Sequence, residues 1–303
     1  MDEYFTASVH ENGLRLDSVL SMRYPEKSRS YFQKLIKDGN ITVNENAIKS
    51  NYRLRENDKV QIIIPIAEET DIVAEDIPLN IIYEDEDIIV INKPKGMVVH
   101  PAPGHYSGTL VNALMYHCKN ELSGINGILR PGIVHRIDRD TTGVMVACKN
   151  DMSHNSLAQQ LKIHSITRRY EAIVYNNFAD DDGIIDAPIG RHPAERKKMA
   201  INYKNGREAV THYHVIKRLK GFTHIECRLE TGRTHQIRVH MASINHPLLG
   251  DSVYGPAKCP YKLEGQTLHA AVLGFVHPRS NKYVEFTAPL PEYFNKLLVL
   301  LDK

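Results

Sequence analysis

Between Gly132 and Asn150 the chain reads GIVHRIDRDTTGVMVACKN, with His135, Arg136, Asp138, Arg139 and Asp140 crowded between two apolar runs. Those runs, Gly132–Val134 and Val144–Ala147, read as buried strands, so the charges occupy a loop held by the core. Charge that is partly desolvated is costly unless it is paired or used. A carboxylate beside arginines stays ionised and can serve as nucleophile, base or ion-pair partner. On this basis Asp138 and Asp140 are equivalent.

A second cluster lies in LETGRTHQIRVHMASINHPLLGDSVYG, Leu229 to Gly255, where Arg233, His235, Gln236, Arg238 and His240 follow a strand broken by Gly232. Ile237, Val239 and Met241 alternate with Arg238 and His240, which predicts a strand or an extended edge. Two charged clusters embedded in core-type sequence are expected to meet in one cleft. His135-Arg136-Ile137-Asp138 differs from a kinase catalytic loop because the aspartate comes one residue late. Without D-F-G or a glycine-rich phosphate loop, phosphoryl transfer is excluded. No dinucleotide or P-loop fingerprint is present either, so no cofactor is expected. The 16 histidines form no metal-ligand spacing, and no metal is expected.

Two domains are expected from 303 residues of ordinary composition. The polar start MDEYFTASVHENG carries no secretory signal, and no apolar run is long enough to span a membrane. Cys118, Cys148, Cys227 and Cys259 are widely spaced, which favours free thiols in the cytoplasm. A monomer is the simplest expectation. Net charge is only +2, but its distribution is uneven. Leu14–Ile66 holds ten Lys/Arg against six Asp/Glu, Ala67–Ile88 holds nine acidic residues and no basic one, and Arg191–Arg238 turns basic again.

In the first basic zone LRLDSVLSMRY has helical spacing, and SRSYFQKLIKDGN predicts a helix capped by Ser28, stopped at Gly39 and buried through Phe32, Leu35 and Ile36. ITVN and DKVQIIIP read as strands. Residues 67–77 read as an acidic linker. Beyond it, Ile81–Tyr83 and Ile88–Ile91 flank a four-residue acidic turn, TLVNALMYHC and SLAQQLK have helical periodicity, and RYEAIVYN, HYHVIKRL, GFTHIECRLET and KYVEFTAPL alternate. The expected class is α+β: a small N-terminal module followed by a catalytic domain on a largely antiparallel mixed sheet.

The N-terminal pattern resembles the small RNA-binding domain of ribosomal protein S-four, over residues 14 to about 66. That resemblance implies an RNA-facing surface including Arg15, Ser28, Arg29, Lys34 and Lys37. HRIDRDTTG is similar to the H-R-L-D-x-x-T-S-G signature of the RluA/RluD family of pseudouridine synthases. NKPKGMVVHP, RRYEAIV, TGRTHQIRVHMASINHPLLGDSVYG and LHAAVLGFVHP match that family's other motifs in order, and the chain looks most like its RluD subgroup. Ile137 and Thr142 replace the usual leucine and serine and keep their size and polarity.

The resemblance implies domains at 1–66 and 78–303 and a uridine-to-pseudouridine isomerase acting on large-subunit ribosomal RNA. It selects Asp138 over Asp140 as the catalytic aspartate. It makes Tyr170 the active-site tyrosine that stacks on the uracil and is placed to take the proton lost from C5, Arg233 the arginine paired with the carboxylate, and Arg136 a residue that helps displace the target base. Lys93, His235 and His269 have motif positions without a derivable role. The rival expectation is a non-catalytic RNA-binding protein on the same fold, which loss of Asp138, Tyr170 or Arg233 would have favoured.

Overall fold

A computed structural model of the chain describes residues 2–24, 29–63, 72–102, 104–119, 121–125, 130–195 and 198–302. The chain divides into two compact units, Met1–Thr70 and Asp71–Lys303.

In the first unit, strands β1 (Asp2–Thr6), β2 (Ile41–Val43), β3 (Asn46–Ala47) and β4 (Lys59–Ile63) form an antiparallel sheet in the order β1-β4-β2-β3. Helices α1 (Leu16–Arg23) and α2 (Arg29–Lys37) pack on it. The stripe Phe32, Leu35 and Ile36 is buried against Leu16, Val19, Leu20 and Ile62, as its helical spacing requires. Ser28 lies outside the described residues.

The second unit is built on strands β5 (Ile81–Glu84), β6 (Ile88–Lys93), β7 (Thr142–Cys148), β8 (Thr167–Tyr175), β9 (Asp182–Asp186), β10 (Ile189–Arg191), β11 (Met199–Ile201), β12 (Val210–Arg218), β13 (Phe222–Leu229), β14 (Leu268–Val276) and β15 (Tyr283–Thr287). Nine of them make one sheet, β5-β6-β7-β14-β8-β13-β12-β9 with β15 on β14, while β10 and β11 pair apart. All pairs in the large sheet are antiparallel except β14 with β7. Helices α3 (Leu110–His117), α4 (Asp151–Lys162), α5 (Gln236–Ser243) and α6 (Glu292–Leu301) cover both faces. On one face Met145, Tyr170, Ala172 and Ile225 pack against Leu110 and Leu114 of α3 and Ile237 and Met241 of α5. On the other, Val144 and Val146 meet Leu157 of α4, and Ile173 meets Phe294 of α6. Strand β7 is buried on both faces, which is why it reads as a continuous apolar run.

Two expectations are corrected. Gly132–Val134 forms no strand; it bulges beside β7 with a single bridge from Ile133 to Ala147. Gln236–Ser243 is a helix, not an extended edge. From Gln236 to Met241 every residue is buried, so no solvent-facing side exists to reveal the helical period. Of the acidic segment, residues 67–71 lie outside the described part. Ile72 is buried in the core of the second unit, and the Val73 carbonyl accepts a hydrogen bond from Asn112 Nδ2 of α3 at 2.8 Å.

Where β7 enters its parallel pairing with β14, His269 stands beside Thr142 and Ala270 beside Gly143. Gly143 has φ +113°, and a Cβ there would lie 2.1 Å from the Ala270 carbonyl oxygen. No L side chain fits both the backbone and the space. Gly143→Ala is expected to destabilise the second unit by about 3 kcal/mol or more, read as a lower urea midpoint with an unchanged slope.

Candidate active site

The loop from His135 to Thr141 enters β7, and the backbone of its tip is fixed by a buried cation. Lys93, at the end of β6, is fully buried. Its Nζ donates to the carbonyls of Pro94 (2.8 Å), Met97 (2.8 Å) and Arg139 (2.9 Å). The Arg139 carbonyl also accepts from Gly96 N at 3.0 Å. Burial pushes the Lys93 ammonium down to about 7, against the opposing pull of Asp140 and Asp138. His269 holds the base of the loop. Its Nε2 faces the Ala288 carbonyl at 3.1 Å and must donate, which leaves Nδ1 to accept from the Thr142 hydroxyl at 2.8 Å. Thus two of the residues without a role in the sequence position the loop.

Within it the two aspartates separate. Asp140 is taken up by its neighbour, Arg139 Nε and Nη2 donating to it at 3.0 and 3.1 Å. Asp138 turns to α5, where Arg238 Nη1 donates to its Oδ2 at 2.9 Å. The other arm of that guanidinium is gripped by buried Asp251, through Nε at 2.6 Å and Nη2 at 2.9 Å. Oδ1 of Asp251 also accepts from the backbone N–H groups of Val253 (2.9 Å) and Tyr254 (3.1 Å). Burial alone would raise the Asp251 carboxyl; Arg238 and the two amides overrule it and hold it below its ordinary value. For Arg238 the burial penalty is likewise outweighed by Asp251 and Asp138, and its pKa rises. The Tyr254 ring lies 5.1 Å from the guanidinium. The Tyr254 hydroxyl meets His235 Nδ1 at 2.8 Å, and His235 Nε2 stands 3.8 Å from Asp138 Oδ1. Burial, with Arg238 nearby and Asp138 opposing, lowers the His235 pKa.

Arg136, Asp138, Tyr170 and Arg233 all line one cleft, with Thr141, Leu229, His235 and Arg238. The two charged clusters therefore meet, as expected. Asp138 keeps 17 % of its side chain accessible there while the paired Arg238 keeps 7 %. Tyr170, on β8, forms an apolar wall, and its burial raises the phenol pKa. Arg136 is exposed.

One residue assignment is corrected. The arginine paired with Asp138 is Arg238, not Arg233. Arg233 precedes α5, outside the helix that carries Arg238, and its Nε donates to the Glu208 carbonyl at 2.8 Å. Burial and the neighbouring Arg207 lower its pKa, the signature of a cation among cations. Asp251 was missed altogether, although GDSVYG stood in the quoted motif; nothing in its spacing marks a partner for Arg238.

In the first unit the expected RNA-facing arginines are not free. Asp17, with no exposed side chain, is reached by Arg15 at 2.9 Å and Arg29 at 3.1 Å, and by Gln33 Nε2 at 2.6 Å. Burial opposes ionisation of Asp17, but these donors win and hold its carboxyl well below the usual range. Lys34 and Lys37 are exposed on α2.

With this geometry described, the likeness to known proteins is extensive. The profile of the RNA pseudouridylate synthase family matches residues 87–243 and that of the S4 domain residues 14–60. The chain is 52 % identical over 298 residues to the uncharacterized RNA pseudouridine synthase YlyB of Bacillus subtilis, covering 98 % of this chain and 97 % of that one. It is 46 % identical to ribosomal large subunit pseudouridine synthase D of Zymomonas mobilis, covering 99 % and 97 %. In fold it resembles the human RNA pseudouridylate synthase domain containing 1, with a TM-score of 0.57 at 23 % identity over 74 % of this chain and 94 % of that one.

The two arginines of the cleft are separable by stability. Arg238→Met strands two carboxylates and is expected to cost about 3–5 kcal/mol. Arg233→Gln removes a half-buried cation with no carboxylate partner among the described residues and is expected to cost under about 1 kcal/mol. Urea unfolding of both variants checks the assignment; equal losses would contradict it.

Proposed function

The chain belongs to the RNA pseudouridylate synthase family, and on that premise we propose that it converts particular uridines of large-subunit ribosomal RNA into pseudouridine with Asp138 as the essential carboxylate. It is an RNA uridine isomerase carrying an S4 RNA-binding domain. The choice of RNA rests on the relatives of 42–46 % identity that are named ribosomal large subunit pseudouridine synthase D.

In this reaction the bond from uracil N1 to ribose C1′ breaks, the uracil turns, and C5 bonds to C1′. The C5 hydrogen leaves as a proton to water, N1 takes a proton up, and nothing is oxidised. What is needed is an ionised carboxylate aimed at the nucleoside and a closed, stacked pocket that retains the detached base. One observation carries the role of Asp138: it is the cleft carboxylate whose arginine is itself anchored by a second carboxylate. Its own geometry is thereby fixed while part of it stays open to a ligand. Tyr170 offers the uracil a flat apolar face. Burial raises its phenol pKa, in keeping with an apolar stacking face. Exposed Arg136 is placed at the rim to enter the stack that the uridine vacates. Arg233, beside Arg207, adds positive charge for the RNA backbone.

On the S4 domain the clamp by Asp17 makes Arg15 and Arg29 a rigid pair, and exposed Lys34 and Lys37 supply phosphate contacts on the same helix-turn surface. We take the acting form to be a cytoplasmic monomer. Among the described residues no helix is long and apolar enough to cross a membrane.

Two experiments test this reading. With RNA tritiated at uridine C5, wild type is expected to release tritium from large-subunit rRNA and Asp138→Asn to bind that RNA without release. Turnover by Asp138→Asn would remove the aspartate from its role, and wild-type release from tRNA alone would move the target. In the second, replacing both Lys34 and Lys37 by Glu is expected to weaken binding and flatten its salt dependence by roughly one unit per lost phosphate, with kcat unchanged. An unaltered salt slope would place the RNA surface of this domain elsewhere.

A further inference from the structure

Buried charges in this protein are consistently matched: Arg238 by two carboxylates, Lys93 by three carbonyls, Asp17 by two arginines and a glutamine. Arg168 breaks the pattern. It is only 7 % exposed, yet among the described residues its one hydrogen bond runs from Nη2 to the Glu230 carbonyl at 2.7 Å. Its Nε is buried without a partner, and no carboxylate of the described residues pairs with it. Burial lowers its pKa. A desolvated guanidinium with so little compensation costs stability, and such a cost is retained where a ligand repays it.

Position says what kind of ligand. Arg168 and Tyr170 are two residues apart on β8 and so face the same side of the sheet. Arg168 lines a groove whose wall includes Leu229, a residue that the groove shares with the catalytic cleft. The groove's acids are engaged elsewhere: Glu230 by His212 at 2.6 Å, Asp182 by His214 at 2.8 Å, and Glu226 by Arg169 at 3.3 Å. Above the guanidinium sits Gly232, exposed and without a left-handed backbone that would call for glycine. A Cβ there would lie 2.5 Å from Arg168 Nη1. The glycine therefore serves space rather than conformation: its missing side chain makes room for Nη1.

We propose that Arg168, from the groove that it lines beside Gly232, binds one phosphodiester group of the RNA close to the flipped uridine. A phosphodiester has the charge that the guanidinium lacks and two oxygens for its free N–H groups. The proposal rests on RNA being the substrate and adds a contact that positions the strand rather than performing the chemistry.

The test compares Arg168→Gln, Arg168→Lys and Gly232→Ala on the RNA from which wild type releases tritium. If wild type releases none, bulk cellular RNA replaces it; that outcome overturns the substrate reading and leaves the Arg168 comparison intact. Arg168→Gln is expected to raise KM about tenfold with kcat within about threefold, and to lower the salt slope of binding by about 0.7–0.9, the share of one phosphate. Arg168→Lys keeps the slope. Gly232→Ala moves the guanidinium without removing its charge and is expected to raise KM in the same direction; it keeps the test open if Arg168→Gln fails to fold. A lower kcat with an unchanged slope would overturn the proposal and make Arg168 a support for Tyr170. Stabilisation of wild type by inorganic phosphate, with the RNA slope indifferent to Arg168, would also overturn it by making this a free-anion site.

Discussion

Arg238 lies buried between two carboxylates, and the cleft is organised around keeping it there. Removing a guanidinium from water costs several kcal/mol, which a single partner seldom returns. Here Asp251 takes two arms of the fork, Asp138 takes the third, and Asp251 is itself held by two backbone amides. The planar fork is what makes this possible: a lysine ammonium, as a point charge on a flexible stem, would not fix the two acids relative to each other. The division of labour follows from exposure. Asp251 is sealed, and Asp138 keeps an edge toward the cleft, so one acid anchors and the other stays accessible.

The loop bearing Asp138 has to be equally well held. Lys93 donates to carbonyls of its own following segment, Pro94 and Met97, and to Arg139 of the loop, while His269, on β14, joins Thr142 at the start of β7 through one ring nitrogen and the Ala288 carbonyl through the other. Both are polar groups in the core with full hydrogen bonding, which rigidifies a site at little cost. Gly143 completes the arrangement by letting the two strands approach where their parallel pairing begins.

Much of this was legible in the sequence where one side of an element faces water. The alternation in RYEAIVYN and GFTHIECRLET predicts β8 and β13, and the stripe Phe32, Leu35, Ile36 predicts α2. The signal fails where burial is complete. In α5 the polar residues Gln236, Arg238 and His240 are interior groups with interior partners, so their alternation with Ile237 and Val239 imitates a strand. The cleft was legible as a meeting of two clusters, and Asp138, Tyr170 and Arg136 do line it. Which arginine pairs with Asp138 was not legible, because Arg233 and Arg238 differ only in the conformation of five residues. The clamp on Arg15 and Arg29 was hidden for a related reason: Asp17 looks like any acid in the first turn of a helix until its burial is known.

The strand order also sets when the site can exist during synthesis. Asp138 emerges a hundred residues before Arg238, and β14, which must insert between β7 and β8, later still. Neither β7 nor β8 has its inner neighbour until residues 268–276 are free of the ribosome. The S4 domain closes its own sheet within the first 63 residues. Non-local pairing of this kind forms late and domains fold in the order they appear. The nascent chain thus acquires a hold on RNA long before it acquires chemistry, and a ribosome making this protein carries a binder that cannot yet modify anything.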